Sequence, residues 1–213
     1  MIKNNITKHL KQYIKYDNII SIFILIIMYF YIVCYRNRDL VYIKSTLNNK
    51  KYLCRNLADS HIAVNLLSEV DRRINGLKIY LTKTYKNKKL NHRIKRFHSE
   101  MITEASSDNK RTSYLINKKE LVLCLRDKTT NELYNINTIM FVTLHEFGHL
   151  ISKGIGHDAE FWSNFKFLLQ NAIRISIYNP LDYSKHMVKY CSIIISSSPL
   201  YNDTIKATDW NIN

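Results

Sequence analysis

The chain has little of what breaks or staples a backbone: four glycines, two prolines and four cysteines in 213 residues. So few glycines and prolines, with no simple repeat, exclude fibrous and low-complexity classes and leave a globular chain with a sizeable core. The cysteines, at 34, 54, 124 and 191, form no CxxC pair. Cys34 closes an apolar run and the other three are an odd number, which argues for free thiols in a reducing compartment. Acidic residues are also short, 17 against 32 lysines and arginines, giving a net charge of +15. Such a charge suits a nucleic acid, an anionic membrane surface or an acidic partner. An AT-rich coding sequence would enrich Lys, Asn, Ile and Tyr together and explain the lysines equally well, so charge alone names no partner.

Polar side chains are almost missing from "IISIFILIIMYFYIVCY", residues 19–35. At roughly 17 residues it sits at the lower edge of a bilayer-spanning helix, with tyrosines crowding its C-terminal end. No A-x-A arrangement follows, which disfavours a cleaved signal peptide, and no polar face marks it as a core helix. The expectation is a basic segment over 1–18, a transmembrane helix over 19–35, a connector over 36–56 and one domain over 57–213. Lysines and arginines flank the run on both sides, with a slight excess placing the C-terminal domain in the cytoplasm.

Within the domain, "LADSHIAVNLLSEVDRRING" (57–76) predicts an amphipathic helix capped by Asp59 or Ser60 and stopped at Gly76. The basic stretch 83–96 is a solvated face or loop, or a nucleic-acid contact lacking any recognised module. "SYLINKKELVLCLRD" (113–127) alternates as one strand or two with a turn near Asn117–Lys119. A helix from Asn135 or Asn137 runs to Gly154, and another from Asp158 to about Arg174.

Histidine and acid gather in "TLHEFGHLISKGIGHDAEFW", residues 143–162. His145 and His149, four apart on a helix, present both imidazoles on one face and can reach a single Zn2+. Glu146 is rotated by ~100° and can serve as proton acceptor and donor for a metal-assisted hydrolysis. The metzincin arrangement fails, because its glycine and third histidine would fall on Ser152 and Ile155. His157 is the expected third ligand, brought back by the flexible Gly154-Ile155-Gly156. Glu160 and His186 are the alternatives. Asp158 is expected to cap the following helix and to orient a ligand histidine.

These residues resemble the WLM-domain metalloproteases, relatives of the SprT-like proteases, in which a third histidine follows HExxH in an "HD..F" context, here His157-Asp158 and Phe161. The resemblance covers about 57–175, and the tail looks like the version encoded by large cytoplasmic DNA viruses. It implies an α+β, zincin-like metalloprotease domain, a small sheet packed on the HExxH helix, with Leu121–Leu125 as the edge strand that holds the substrate. The cofactor is Zn2+, the partner a protein or peptide substrate, and Tyr183 the suggested oxyanion donor. Three functions stay open: a membrane-anchored endopeptidase, a protease for DNA-bound proteins, and a non-catalytic zinc-stabilised membrane or virion protein.

Overall fold

The computed structural model describes residues 18–33, 35, 38–98 and 101–211. The chain divides into two compact units, Met1–Arg38 and Asp39–Asn213. In the first, residues 18–33 form a helix (α1) whose apolar side chains are exposed. Its continuous described part, about 24 Å at ~1.5 Å per residue, is shorter than the ~30 Å hydrocarbon core. Among the described residues no helix is long and apolar enough to cross a membrane. This corrects the transmembrane helix expected over 19–35, and with it the single-pass membrane localisation and the cytoplasmic placement derived from it. The basic segment 1–18 lies almost entirely outside the described residues.

The second unit is α+β with a mixed five-stranded sheet. Its elements are β1 (Leu40–Lys44), β2 (Lys51–Arg55), α2 (Ser60–Thr84), α3 (Lys88–Lys95), β3 (Ile102–Glu104), β4 (Tyr114–Ile116), β5 (Glu120–Leu123), α4 (Ile136–Ile151), α5 (Ala159–Arg174), β6 (Val188–Tyr190) and β7 (Ile193–Ile195). The supposed connector 36–56 therefore supplies the first hairpin of the sheet. The strand order is β1-β2-β3-β5-β4, with β2, β3 and β5 parallel and the outer strands antiparallel to their neighbours. The parallel β2–β3 pair needs a long crossover, which α2 and α3 provide.

Helix α2 does not stop at Gly76. Leu77 and Leu81 continue the buried stripe of Leu67, Val70 and Ile74. One internal glycine costs about 1 kcal/mol, less than burying two leucines returns. Asp59 occupies the cap position without capping, because its carboxylate is drawn to Arg126 at 2.7 Å.

The segment 113–127 does form a hairpin, with Asn117 and Lys118 both at positive φ in the turn. Its second strand lies inside the sheet, so the expected substrate edge at Leu121–Leu125 is corrected: Leu121, Leu123 and Leu125 are wholly buried and β4 takes the edge. The reason is topological. Pairing β5 in parallel with β3 leaves only its far side for β4.

The tail packs on the domain as the β6–β7 hairpin, with Tyr183 and Tyr190 fully buried. Cys191, in the hairpin turn, is disulfide-bonded to Cys124, 67 residues earlier, while Cys54 is a buried free thiol. The expectation of free thiols thus fails for two of the three cysteines after residue 35. Parity counting cannot show which sulfurs the fold brings together.

Candidate metal centre

Helix α4 is apolar almost all round, so it is buried between layers. It packs on α5 and touches α2, α3, β4 and β5. Asn135 fixes its start by accepting the Thr138 N–H at 2.9 Å. Its end comes at Ile151, before Gly154. Ser152 leaves the helix with extended backbone, and its hydroxyl donates to the Gly148 carbonyl at 2.7 Å and accepts from Asn164 at 2.9 Å. Lys118, in the β4–β5 turn, donates to the Ser152 carbonyl at 2.8 Å, closing the C-terminal end of the helix with a cation. The loop then turns back to Asp158, which caps α5 by accepting the Phe161 N–H at 2.8 Å. Neither Gly154 nor Gly156 uses positive φ.

This turn brings His157 onto the face of α4 that carries His145 and His149. The Nε2 atom of His157 lies 3.0 Å from that of His145 and 3.2 Å from that of His149. One nitrogen with at most one proton cannot hydrogen-bond to both neighbours as donor. Three lone pairs converging on one point suit a cation instead, and nitrogens held ~2.0–2.1 Å from a tetrahedral zinc would lie ~3.4 Å apart. The three form a cluster with metal-ligand spacing, and the donor set fits Zn2+.

Burial, then the positive charges of the other two histidines, pushes the His145 pKa down to about 3. Burial, then His157 and Lys118, pushes His149 down to about 4. Both imidazoles are therefore neutral, the form that ligates.

Phe161 explains why the three rings stay in place. Its ring centroid is 4.8, 4.3 and 4.7 Å from those of His145, His149 and His157, and the side chain is wholly buried. Gly148 makes room for it: a Cβ there would stand 2.9 Å from Phe161 Cε2. The sequence flagged Phe161 as part of a pattern. The requirement for Gly148 and the anchoring by Lys118 carried no local signal, because both depend on the α4–α5 distance and on where a hairpin tip lands.

Glu146 is 7% exposed and, among the described residues, makes no hydrogen bond or ion pair. Burial alone raises its pKa to about 8. A divalent cation at the neighbouring imidazoles would oppose that shift by stabilising the carboxylate.

The remaining candidates separate clearly. Glu160 is engaged elsewhere, taking Arg93 at 3.1 Å and the Lys153 N–H at 3.2 Å, and is not part of the histidine cluster. His186 is exposed in the turn before β6 and also stands apart. Asp158 acts electrostatically on His149, raising its pKa, but spends its hydrogen bond on the cap. The Nδ1 of His149 is buried without a partner. Tyr183 is fully buried with its ring 4.5 Å from Phe141, one turn before His145, so its hydroxyl does not face a substrate. The basic stretch 83–96 spans the end of α2 and all of α3. It is not uniformly solvated: Arg93 is buried, donating to the Ile151 carbonyl and to Glu160.

No family model and no solved structure matches the chain. It is 32% identical over 192 residues to the uncharacterized protein R325 of Acanthamoeba polyphaga mimivirus, spanning 86% of this chain and 96% of that protein. It is also 40% identical over 82 residues to the uncharacterized protein 136R of Invertebrate iridescent virus 6, and 43% identical over 82 residues to the uncharacterized protein 042R of Invertebrate iridescent virus 3. Those two matches cover 44% and 50% of the relatives. The zincin-like fold expected from the motif finds no support in any solved structure, and the domain is α+β with a mixed sheet.

Proposed function

We propose that this chain, which belongs to the same family as the mimivirus protein R325, is a zinc-dependent endopeptidase. The observation that carries the reading is the convergence of three imidazole nitrogens, with Glu146 following His145 on the same helix, 7% exposed and without a hydrogen-bond partner among the described residues. A carboxylate that the fold commits to no hydrogen-bond partner is free to exchange a proton with water.

His145, His149 and His157 would hold the zinc, whose Lewis acidity polarises a peptide carbonyl and acidifies water. Glu146 takes the proton from the attacking water on its carboxylate and returns it to the departing amine nitrogen. Phe161 keeps water from the inner side of the imidazoles and fixes their orientation. The WLM-type reading of residues 143–162 belongs to this proposal.

A purely structural zinc site is the second reading, favoured by the way the histidines join α4 to α5. Zinc stoichiometry and hydrolysis of a casein substrate test both. Wild type should bind one zinc and cleave, Glu146→Gln should bind zinc without cleaving, and His157→Ala should lose tight zinc binding while Glu160→Ala and His186→Ala keep it. Cleavage by Glu146→Gln at the wild-type rate would sink the mechanism. Unfolding on chelation, with no hydrolysis at any stage, would favour the structural site.

A further inference from the structure

A groove of about 810 Å3 opens between the α2–α3 corner and the C-terminal segment, lined by Lys86, Lys88, Lys89, Glu160, Asp209 and Trp210 among others. Glu160 links it to the loop that carries His157. Glu160 holds the Lys153 amide, in the loop between His149 and His157, and Arg93 beneath it holds the Ile151 carbonyl at the end of α4.

Its charges are not balanced internally. Glu160 is already matched by Arg93 and by the Lys153 N–H. Asp209 accepts from the Asn211 amide. Lys86, Lys88 and Lys89 are exposed and, among the described residues, take part in no ion pair. Lys88 and Lys89 open α3, behind an Asn87 cap. Cations are unfavourable there, next to the positive end of the helix dipole, so helix stability does not explain them. Trp210, over which the Arg93 guanidinium sits at 5.8 Å, gives the groove an apolar wall.

We infer that this groove is a binding site for an acidic stretch of the protein substrate, next to the bond to be cut. The assignment rests on the endopeptidase reading for its substrate, though the binding itself does not. The Asp209 carboxylate, which has no ion-pair partner among the described residues, argues for a peptide over a nucleic acid. A phosphodiester backbone presents a negative charge at every step and would set one against Asp209, whereas a peptide can place acidic side chains on the lysines and a neutral residue or a backbone N–H beside Asp209. A cavity of this volume lies within the ~300–1,000 Å3 typical of ligand pockets.

The experiment uses the full chain carrying Glu146→Gln, so that bound peptide is not consumed. Fluorescence anisotropy follows a fluorescein-labelled peptide of alternating glutamate and serine. Binding should weaken with salt and fall by about tenfold or more in the added Lys88→Glu/Lys89→Glu pair. Reversing charge at the first turn of α3 favours the helix, so lost binding would not reflect unfolding, and an unchanged thermal melt checks this. In the catalytically intact chain, an acidic extension should lower KM with kcat unchanged, and the lysine variant should lose that advantage. Equal peptide affinity before and after charge reversal would overturn the proposal. So would displacement of the peptide by an oligothymidylate that binds more tightly, which would make the groove a nucleic-acid site. Peptide binding that depends on Lys88 and Lys89 in a chain that cleaves nothing would retain the groove and reject the endopeptidase.

Discussion

Two polar clusters of this domain differ in how their polar atoms are satisfied. Around Arg126, the Glu104 carboxylate takes the guanidinium Nε at 2.9 Å and the Arg55 N–H at 2.8 Å, while Asp59 takes Nη1 at 2.7 Å. The Nη2 of Arg126 and the Nε of neighbouring Arg55 are left over there. At the end of α4, by contrast, Glu146 has no partner and the three imidazoles face one another with lone pairs to spare. Burying Arg126 and Glu104 in the first and Glu146 in the second is costly. The first is closed on itself and ties β2, β3 and the start of α2 together. The second is incomplete until something enters it. Partner accounting, more than burial or charge, separates a structural polar cluster from a candidate site.

Exchanging each carboxylate for its amide breaks the comparison most sharply. Glu146→Gln should lower hydrolysis by roughly a hundred- to ten-thousandfold, the usual contribution of a general base, while stability stays the same or rises. Glu104→Gln should do the reverse, lowering the denaturation midpoint without entering the chemistry. If both variants lost stability and activity together, the distinction between the clusters would fail.

Next in size is Arg126→Met, with an expected loss of about 3–5 kcal/mol in chemical denaturation. Arg126 is 2% exposed and Glu104 1%. Without the guanidinium the carboxylate keeps only the Arg55 N–H, and burial already raises its pKa despite Arg126. Adding Glu104→Leu should restore most of the loss, because a well-packed apolar pair replaces a buried ion pair at little net cost. A double variant as unstable as the single would mean that Arg126 acts mainly through Asp59.

Gly148→Ala should have a smaller effect of two kinds. Overpacking against Phe161 costs about 1–3 kcal/mol. The displaced ring would also shift the imidazoles it supports and weaken zinc affinity, measurable by competition with a chromogenic chelator. Retained affinity with reduced stability would show that the histidines do not depend on Phe161 for their positions.

The difference between the clusters also decides how much was legible in the sequence. His145, Glu146 and His149 share one helix, so their arrangement follows from the helical period, and His157 from a short return loop. Asp158 as a cap and the turn at Asn117–Lys118 are equally local. The Arg126 cluster was invisible, because Asp59, Glu104 and Arg126 come from three elements that only the sheet brings together. The same holds for the Cys124–Cys191 disulfide and for the place of β5 inside the sheet. Gly76 misled for a related reason: a weak local stop signal was overridden by the apolar face that continues beyond it. At 19–35, composition suggested a membrane span, and the described helix proved too short.

A third kind of cluster, on the surface, sets the lower end of the scale. Glu69 in α2 takes Arg72 at 2.6 Å and Arg73 at 2.7 Å, fully partnered like Glu104 but open to water like a site. Arg72 foremost, then Arg73, pulls the Glu69 pKa down to about 2. A folded-state pKa below the unfolded one stabilises the fold above the unfolded value, near 4.3, and that contribution disappears as the pH falls through the folded value. Solvent screens these pairs and Arg72 is 68% exposed, so Glu69→Gln should cost only about 0.2–1 kcal/mol at neutral pH. The gap between wild type and variant should narrow as pH drops from about 4.5 towards 2, and at neutral pH it should shrink with added salt. A gap as large as that of Arg126→Met, or one that ignores pH, would mean that the number of partners governs stability whatever the burial. Burial multiplies the value of a partner, and Glu69, partnered like Glu104 but 24% exposed where Glu104 is 1%, is the position where that factor can be measured.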